Sequence, residues 1–289
     1  VFLSVHSIEA EVYDPLHMPD LQQHHKPTTP DPMNESNASQ KPAWDTPELD
    51  SVHDNAHKHD KVRAMFSAIA RSYDLNNRVH SLWQDEMWRR KAVKLARVQP
   101  GERVLDVACG TGDLTQAFAK RSRASEVVGV DFTPAMLDIA AQKQSKLHDA
   151  VRTRIEYQQG DAQNLDFADN SFDVLSIAFG IRNVQDPQKA FAEFARVLRP
   201  GGRIVVLEFG VPTLAPMRWF NSFYCATIMP RTATWISGDR SGAYRYLPKS
   251  VATFYSREEM ESELTQAGFS DLRTVSMSLG ICNCTVGSR

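Results

Sequence analysis

The run Val104–Thr115, "VLDVACGTGDLT", joins an apolar stretch ending in an acid, Asp106, to two glycines, Gly110 and Gly112. The pattern reads as a buried strand, a tight loop and the first turn of a helix. Glycine has no Cβ, so such a loop lets a ligand touch bare backbone. The dinucleotide fingerprint needs a third glycine where Thr115 stands. A P-loop needs Gly-Lys-Ser/Thr, which is absent. No basic side chain in the loop meets a phosphate, and Asp106 and Asp113 flank it instead. Acids there suit a cationic ligand.

Outward from this loop, strand and helix signals alternate. "EVVGVD", "RIEYQQGD", "FDVLSIAF" and "GRIVVLEF" read as four further strands, separated by helices such as "PAMLDIAAQKQSKL" and "PQKAFAEFARVL". Alternation of this kind predicts an α/β fold with a mostly parallel, doubly wound sheet and helices on both faces. Residues 211–250 interrupt it with a long aromatic insert. A helix, "REEMESELTQAGF", and two strand-like runs, "LRTVSM" and "ICNCTV", close the chain.

In open α/β sheets the ligand sits beyond the carboxyl ends of the strands. Asp131 ends the second strand and is placed to accept both hydroxyls of a ribose. Asp161 follows the third and is placed to reach an adenine edge. An adenosine with a positive, phosphate-free tail fits this set, and S-adenosylmethionine is such a molecule. Any one of these acids alone would read as a helix cap or turn residue. Three at successive strand ends, with the loop, point to the cofactor.

The chain has 289 residues, 42% hydrophobic and 24% charged, ordinary values for a soluble globular protein. A formal net charge of -2 offers no general attraction to nucleic acid. Four scattered cysteines argue against a disulfide framework and for a reducing, cytoplasmic location. Cys282 and Cys284 read as alternating strand residues rather than metal ligands, and no metal is expected. No apolar run reaches the length of a membrane span. Residues 1–58 hold seven of the fifteen prolines, no glycine and no hydrophobic period, which predicts a disordered tail preceding a domain over 59–289. Seven of the nine histidines lie before residue 60, including His53, His57 and His59. A solvated tail is the preferred reading of that cluster over metal binding.

From about Lys61 onward the chain resembles the UbiE/MenG family, the C-methyltransferases of menaquinone and ubiquinone synthesis. "RVLRPGGRIVVLEF" (196–209), "FGIRNV" (179–184) and "YRYLPKS" (244–250) carry the resemblance. "YDLNNRVHSLWQDEMW" (73–88) matches a further signature but has Asn76 where the family has Met and Asp85 where it has His. The second change implies an altered quinol contact. The resemblance implies a class I S-adenosylmethionine-dependent methyltransferase fold with seven strands. It implies cofactor contacts at Thr111, Asp131, Asp161, Ala162 and Ala178. The family more often has Ser at the last position, so backbone contact alone remains there. Asp106, Gly110 and Gly112 are added from the loop pattern.

The implied reaction is C-methylation of a prenylated quinol, demethylmenaquinol first. Methylation of a 2-polyprenyl-6-methoxy-1,4-benzoquinol is the alternative. A methyltransferase for a small non-quinone metabolite and a non-catalytic cofactor-binding subunit of a quinone-synthesis assembly are rival readings; a dehydrogenase is the weakest rival. A ring carbon becomes nucleophilic once a neighbouring hydroxyl ionises, so Arg182 and Asn183 of "IRNV" are candidate catalytic residues. Arg182 is cast as phenolate stabiliser, since a guanidinium keeps its proton. Its structural alternative is a loop salt bridge. In the insert, Phe220, Phe223, Tyr224 and Ile228 share a helical stripe near Met217, Trp219, Met229 and Trp235. That stripe suits a lid over a prenyl tail with peripheral membrane contact, a homodimer contact or core packing equally.

Overall fold

Five parallel strands grow outward from the Gly-x-Gly loop in both directions. A computed structural model describes Trp44, residues 48–238 and residues 242–289. Its strands are β1 (Arg103–Val107), β2 (Glu126–Asp131), β3 (Ile155–Gln159), β4 (Phe172–Ala178), β5 (Leu198–Phe209), β6 (Ser270–Met277) and β7 (Cys282–Ser288). They form one sheet in the order β3-β2-β1-β4-β5-β7-β6. Neighbours are parallel through β5, and β7 runs antiparallel to both β5 and β6. After β1 the chain winds towards β3, passing through α4 (Pro134–Gln144) and the short α5 (Asp149–Arg152), then crosses back to β4. The strand order therefore reverses between β1 and β4, where the loop lies, and a crevice opens at such a point.

The central strands are apolar almost without interruption because helices cover both faces. On one face Leu105, Val107, Leu175, Ile177 and Val206 pack against Phe191 and Phe194 of α6 (Pro187–Val197) and Met260 and Leu264 of α10 (Arg257–Gln266). On the other, Val104, Val127, Val174 and Val205 meet Trp88 of α2 (Gln84–Ala96) and Leu114 and Phe118 of α3 (Asp113–Arg121). Cys282 and Cys284 are buried in that second core, as alternate residues of β7. Local signals set the helix starts. Pro187 follows an Asp186 side chain that accepts from the Lys189 amide at 3.0 Å, and Ser256 with Glu259 forms a capping box before α10.

The tail boundary at residue 58 needs correcting. Trp44, Leu49 and Val52 are buried against Val62, Met65 and Ile69 of α1 (Lys58–Ser81). They also meet Ala233 of α8 (Met229–Ser237) and Tyr244 and Tyr246 of α9 (Ala243–Ala252). Trp44 stacks on Tyr246 with ring centroids 4.8 Å apart. Lys58 is buried and donates to the Val184 carbonyl at 2.6 Å. His53 packs on Phe254 and bonds the Ser250 carbonyl, so it does not belong to a solvated tail. Three large apolar residues at irregular spacing anchor this segment, and irregular spacing leaves no period to read. The rest of the expected tail, residues 1–43 and 45–47, lies outside the described residues.

Candidate active site

Each parallel strand ends in a short loop, and four of these loops meet. After β1 the chain passes through Ala108 and Gly110 at positive φ, and Gly112 at φ 78° opens α3. A Cβ at Gly112 would collide with the Tyr157 hydroxyl, so this glycine lets β3 pack against the loop. A Cβ at Gly110 would meet nothing within 4 Å, because that glycine faces open space. The Asp131 carboxylate, at the end of β2, accepts from the Gly110 amide and from the Thr133 amide, both at 2.8 Å. Burial pushes its pKa up, against those two donors. After β3, Asp161 takes the Gln163 amide at 2.9 Å in a tight turn. After β4, Phe179 adopts φ 56° and leads into a 3-10 turn, Ile181–Asn183.

These ends enclose a cavity of about 660 Å³, including the space open to solvent. Six of the ten sequence-predicted site residues line it: Gly110, Asp131, Asp161, Ala162, Ala178 and Asn183. Phe132 and Met136 add apolar wall from the β2 side. Phe66 and Tyr73 reach it from α1, and His59 stands at the start of the same helix. Among the described residues, no lysine or arginine lines it. Two carboxylates with no such cation favour hydroxyl and ammonium donors over phosphates.

Four predicted residues lie elsewhere. Asp106 is buried beneath the loop and accepts from the Thr115 hydroxyl at 2.6 Å and the Ser176 hydroxyl at 2.7 Å. Both oxygens accept within the sheet, and at 1% exposure Asp106 stays beneath the loop and does not reach the cavity wall. Burial pushes its pKa up to about 6, despite both hydroxyls. Thr111 donates to Asp74 at 2.6 Å, and Gly112 serves the packing described above. Arg182 is 5% exposed and ion-paired with Glu208 of β5 at 2.6 Å. The same nitrogen donates to the Phe179 carbonyl at 2.7 Å. The structural alternative, a loop salt bridge, is therefore the observed arrangement, and Arg182 is absent from the cavity wall.

Sequence reading missed the charged collar above the loop. Lys143, near the end of α4, contacts Asp74 at 2.6 Å and Asp113 at 2.5 Å. Arg78 pairs with Asp85 and Asp113, and Arg89 reaches Asp85 at 2.5 Å. Burial pushes the Asp113 carboxyl up, but Arg89 and Lys143 outweigh it and hold it down at about 2. The departure at Asp85 thus has a structural partner set: it ties α1 to α2 through Arg78 and Arg89, and both arginines reach Asp113 at the start of α3. Apart from the i,i+4 spacing of Asp85 and Arg89, no sequence signal links these residues, which come from four helices. Phe66 and Tyr73 did carry a signal, the helical period of α1, but a period cannot tell a core face from a cavity wall.

The family model described as "ubiE/COQ5 methyltransferase family" matches residues 54–289. The chain is 43% identical over 234 residues to "Ubiquinone/menaquinone biosynthesis C-methyltransferase UbiE" of Citrifermentans bemidjiense, covering 80% of this chain and 97% of that one. It is 43% identical to "Demethylmenaquinone methyltransferase" of Thermus thermophilus, over 78% of this chain and 100% of the relative. Among solved structures, a SAM-dependent methyltransferase from Thermotoga maritima shares the fold with TM-score 0.55 at 20% identity, over 78% of this chain and 99% of that one. With the loop, the strand-end acids and the sheet order in agreement, the chain belongs to the ubiE/COQ5 methyltransferase family.

Proposed function

We propose that this protein moves a methyl group from S-adenosylmethionine to a ring carbon of a prenylated quinol, with demethylmenaquinol as the main acceptor. The observation that carries the reading is the convergence of Gly110, Asp131, Asp161, Ala162, Ala178 and Asn183 on one cavity free of lysine and arginine, in a member of this family. The cofactor supplies an electrophilic methyl on a sulfonium. Asp131 would hold the ribose hydroxyls and Asp161 with Ala162 would contact an adenine edge, with Phe132 and Met136 supplying apolar wall in the same cavity. The open side of Gly110 leaves room for the amino-acid tail.

The acceptor ring lies between the β4 loop and Tyr73. Holding its carbon in line behind the methyl supplies much of the rate. Asn183 is the polar side chain of the β4 loop that lines the cavity. Its amide is oriented by the Phe179 carbonyl, 3.2 Å from Nδ2, and by the Tyr246 hydroxyl, which donates to Oδ1 at 3.0 Å. The hydroxyl proton, and later the proton displaced from the ring carbon, would leave to water through the open side of the cavity, and Nδ2 would donate to the phenolate oxygen as charge develops. Arg182 is a positioning residue: it clamps the Phe179 carbonyl that orients Asn183. The test is single-turnover methyl transfer to a reduced prenylated naphthoquinol and, separately, to a prenylated methoxybenzoquinol. Transfer to the naphthoquinol alone supports the main reading, and transfer to the benzoquinol alone assigns the ubiquinone branch. No transfer to either, with cofactor bound, would leave a binding subunit.

A further inference from the structure

The aromatic insert touches the site at its far end. Helix α7 (Ala215–Phe223) buries no residue, so the core-packing reading of the stripe fails for Phe220 and Phe223. Helix α9, by contrast, carries Tyr246 and Ser250 one turn apart, both buried. The Tyr246 hydroxyl donates to Asn183 Oδ1 at 3.0 Å. Ser250 lies in the last turn of α9, where carbonyls lack partners within the helix, and its carbonyl takes His53 Nε2 at 3.0 Å.

Lys58 closes the circuit. Its ammonium donates to the Val184 carbonyl at 2.6 Å and lies 3.2 Å from His53 Nδ1. An ammonium can only donate and a carbonyl can only accept. His53 therefore accepts at Nδ1 and donates from Nε2, which fixes one neutral tautomer. Burial pushes the His53 pKa down and Lys58 adds to the shift, so that form holds at neutral pH. The path runs from the Val184 carbonyl through Lys58, His53 and Ser250, then along α9 to Tyr246 and back to Asn183, the neighbour of Val184.

Gln185 is held from the same side. Its Oε1 accepts from the His59 amide at 3.2 Å, and its Nε2 donates to the Asn55 carbonyl at 3.1 Å. Asn183, Val184 and Gln185 all line the cavity, and each is tied to α9 or to the segment 53–59. Lys58 is an unfavourable residue to keep here. It is 1% exposed and opens α1, where the helix dipole disfavours a cation. Burial and then Arg182 push its pKa down to about 8, and Asp54 offsets them in part. A buried cation costs stability unless well paired, and the partners here are a loop carbonyl and a neutral imidazole.

We propose that Lys58 and His53 are positioning residues for methyl transfer, a relay that locks the β4 loop to α9 and so fixes the Asn183 amide against the acceptor ring. The proposal rests on the quinol reading for the identity of that acceptor. Asn183 touches the acceptor, whereas Lys58 and His53 act through it. A displacement of about 1 Å at such a group can cost up to about 100-fold in rate.

The experiment compares Lys58→Met, which keeps the apolar stem and removes the donor, with His53→Leu, which removes both ring nitrogens. Calorimetric binding of S-adenosylmethionine reports that each variant is folded. Hydrogen–deuterium exchange over residues 179–185 reads the lock, and single-turnover methyl transfer to a short-chain, water-soluble naphthoquinol reads its effect. Both variants should exchange faster in that loop. At saturating cofactor and quinol each should transfer about tenfold more slowly or worse. Cofactor affinity and quinol half-saturation should stay within about twofold of wild type. The double variant should be no slower than the slower single one, because the relay is broken once. Val52→Ala is the control: it loosens the same segment through a buried side chain and leaves every relay atom in place. It should lower Tm and keep the saturated rate within about twofold.

Wild-type rates in the two single variants, additive slowing in the double variant, or equal slowing by Val52→Ala would each overturn the proposal. Should Lys58→Met not fold, His53→Leu carries the same test. If wild type transfers a methyl to neither quinol, the quinol reading fails. Unchanged loop exchange in the variants overturns the relay on its own, because exchange needs no acceptor.

Discussion

Removing the Arg182 guanidinium would strand the Glu208 carboxylate in the interior. The two groups are each 5% exposed and 2.6 Å apart, and Glu208 Oε1 also accepts from the Phe209 amide at 2.9 Å. Breaking a buried pair from one side costs about 3–5 kcal/mol, because one charge is left uncompensated. For a folded unit of this size that lowers Tm by about 10 °C. Replacing both partners with apolar groups, Arg182→Met with Glu208→Leu, removes the stranded charge and should recover most of the loss. Urea unfolding of the four proteins yields the coupling directly, expected to be about 2 kcal/mol or more. Single-turnover methyl transfer by the folded double variant then separates the roles. A guanidinium acting on the ring itself would be missed about 30- to 1000-fold, as for an oxyanion-hole donor. A positioning residue should cost about tenfold or less, with cofactor affinity unchanged. If Arg182→Ala keeps its stability within about 1 kcal/mol of wild type, the buried-pair reasoning is wrong.

Asp131→Ala should weaken cofactor binding severely in calorimetry, since two hydrogen bonds to a charged acceptor contribute about 1.5–3 kcal/mol each. Unchanged affinity would refute the ribose assignment. Asp106 has a folded pKa of about 6 against an ordinary 3.8, so the native state binds its proton more tightly than the unfolded chain. Relative to Asp106→Asn, wild type should therefore lose stability as pH rises from about 4 to about 6, by an amount of order 2–3 kcal/mol, read by denaturant unfolding. A chain truncated before Asp60 should unfold at much lower temperature than one beginning at residue 40. Trp44→Ala alone should cost about 3–5 kcal/mol in thermal unfolding, because Trp44 is fully buried on Tyr246.

The sheet and the strand-end acids were legible in the chain before it folded. Strand and helix periods are local, and a Gly-x-Gly loop between them has few conformations open to it, so the order of elements and the edge bearing the site could be read. Asp131 and Asp161 were legible for the same reason: a residue's place at the end of a strand follows from the strand. Packing alone settled which polar groups face the cavity and which are consumed inside it. Asp106 and Arg182 look like site residues by position, yet Thr115, Ser176 and Glu208 take them, and the last two come from strands far along the chain. The Asp74–Lys143–Asp113–Arg78–Asp85 collar and the anchoring of Trp44 are likewise contacts between distant segments. A one-dimensional pattern carries the period of each element, whereas pairing depends on how the elements cross, and that is set only when they pack.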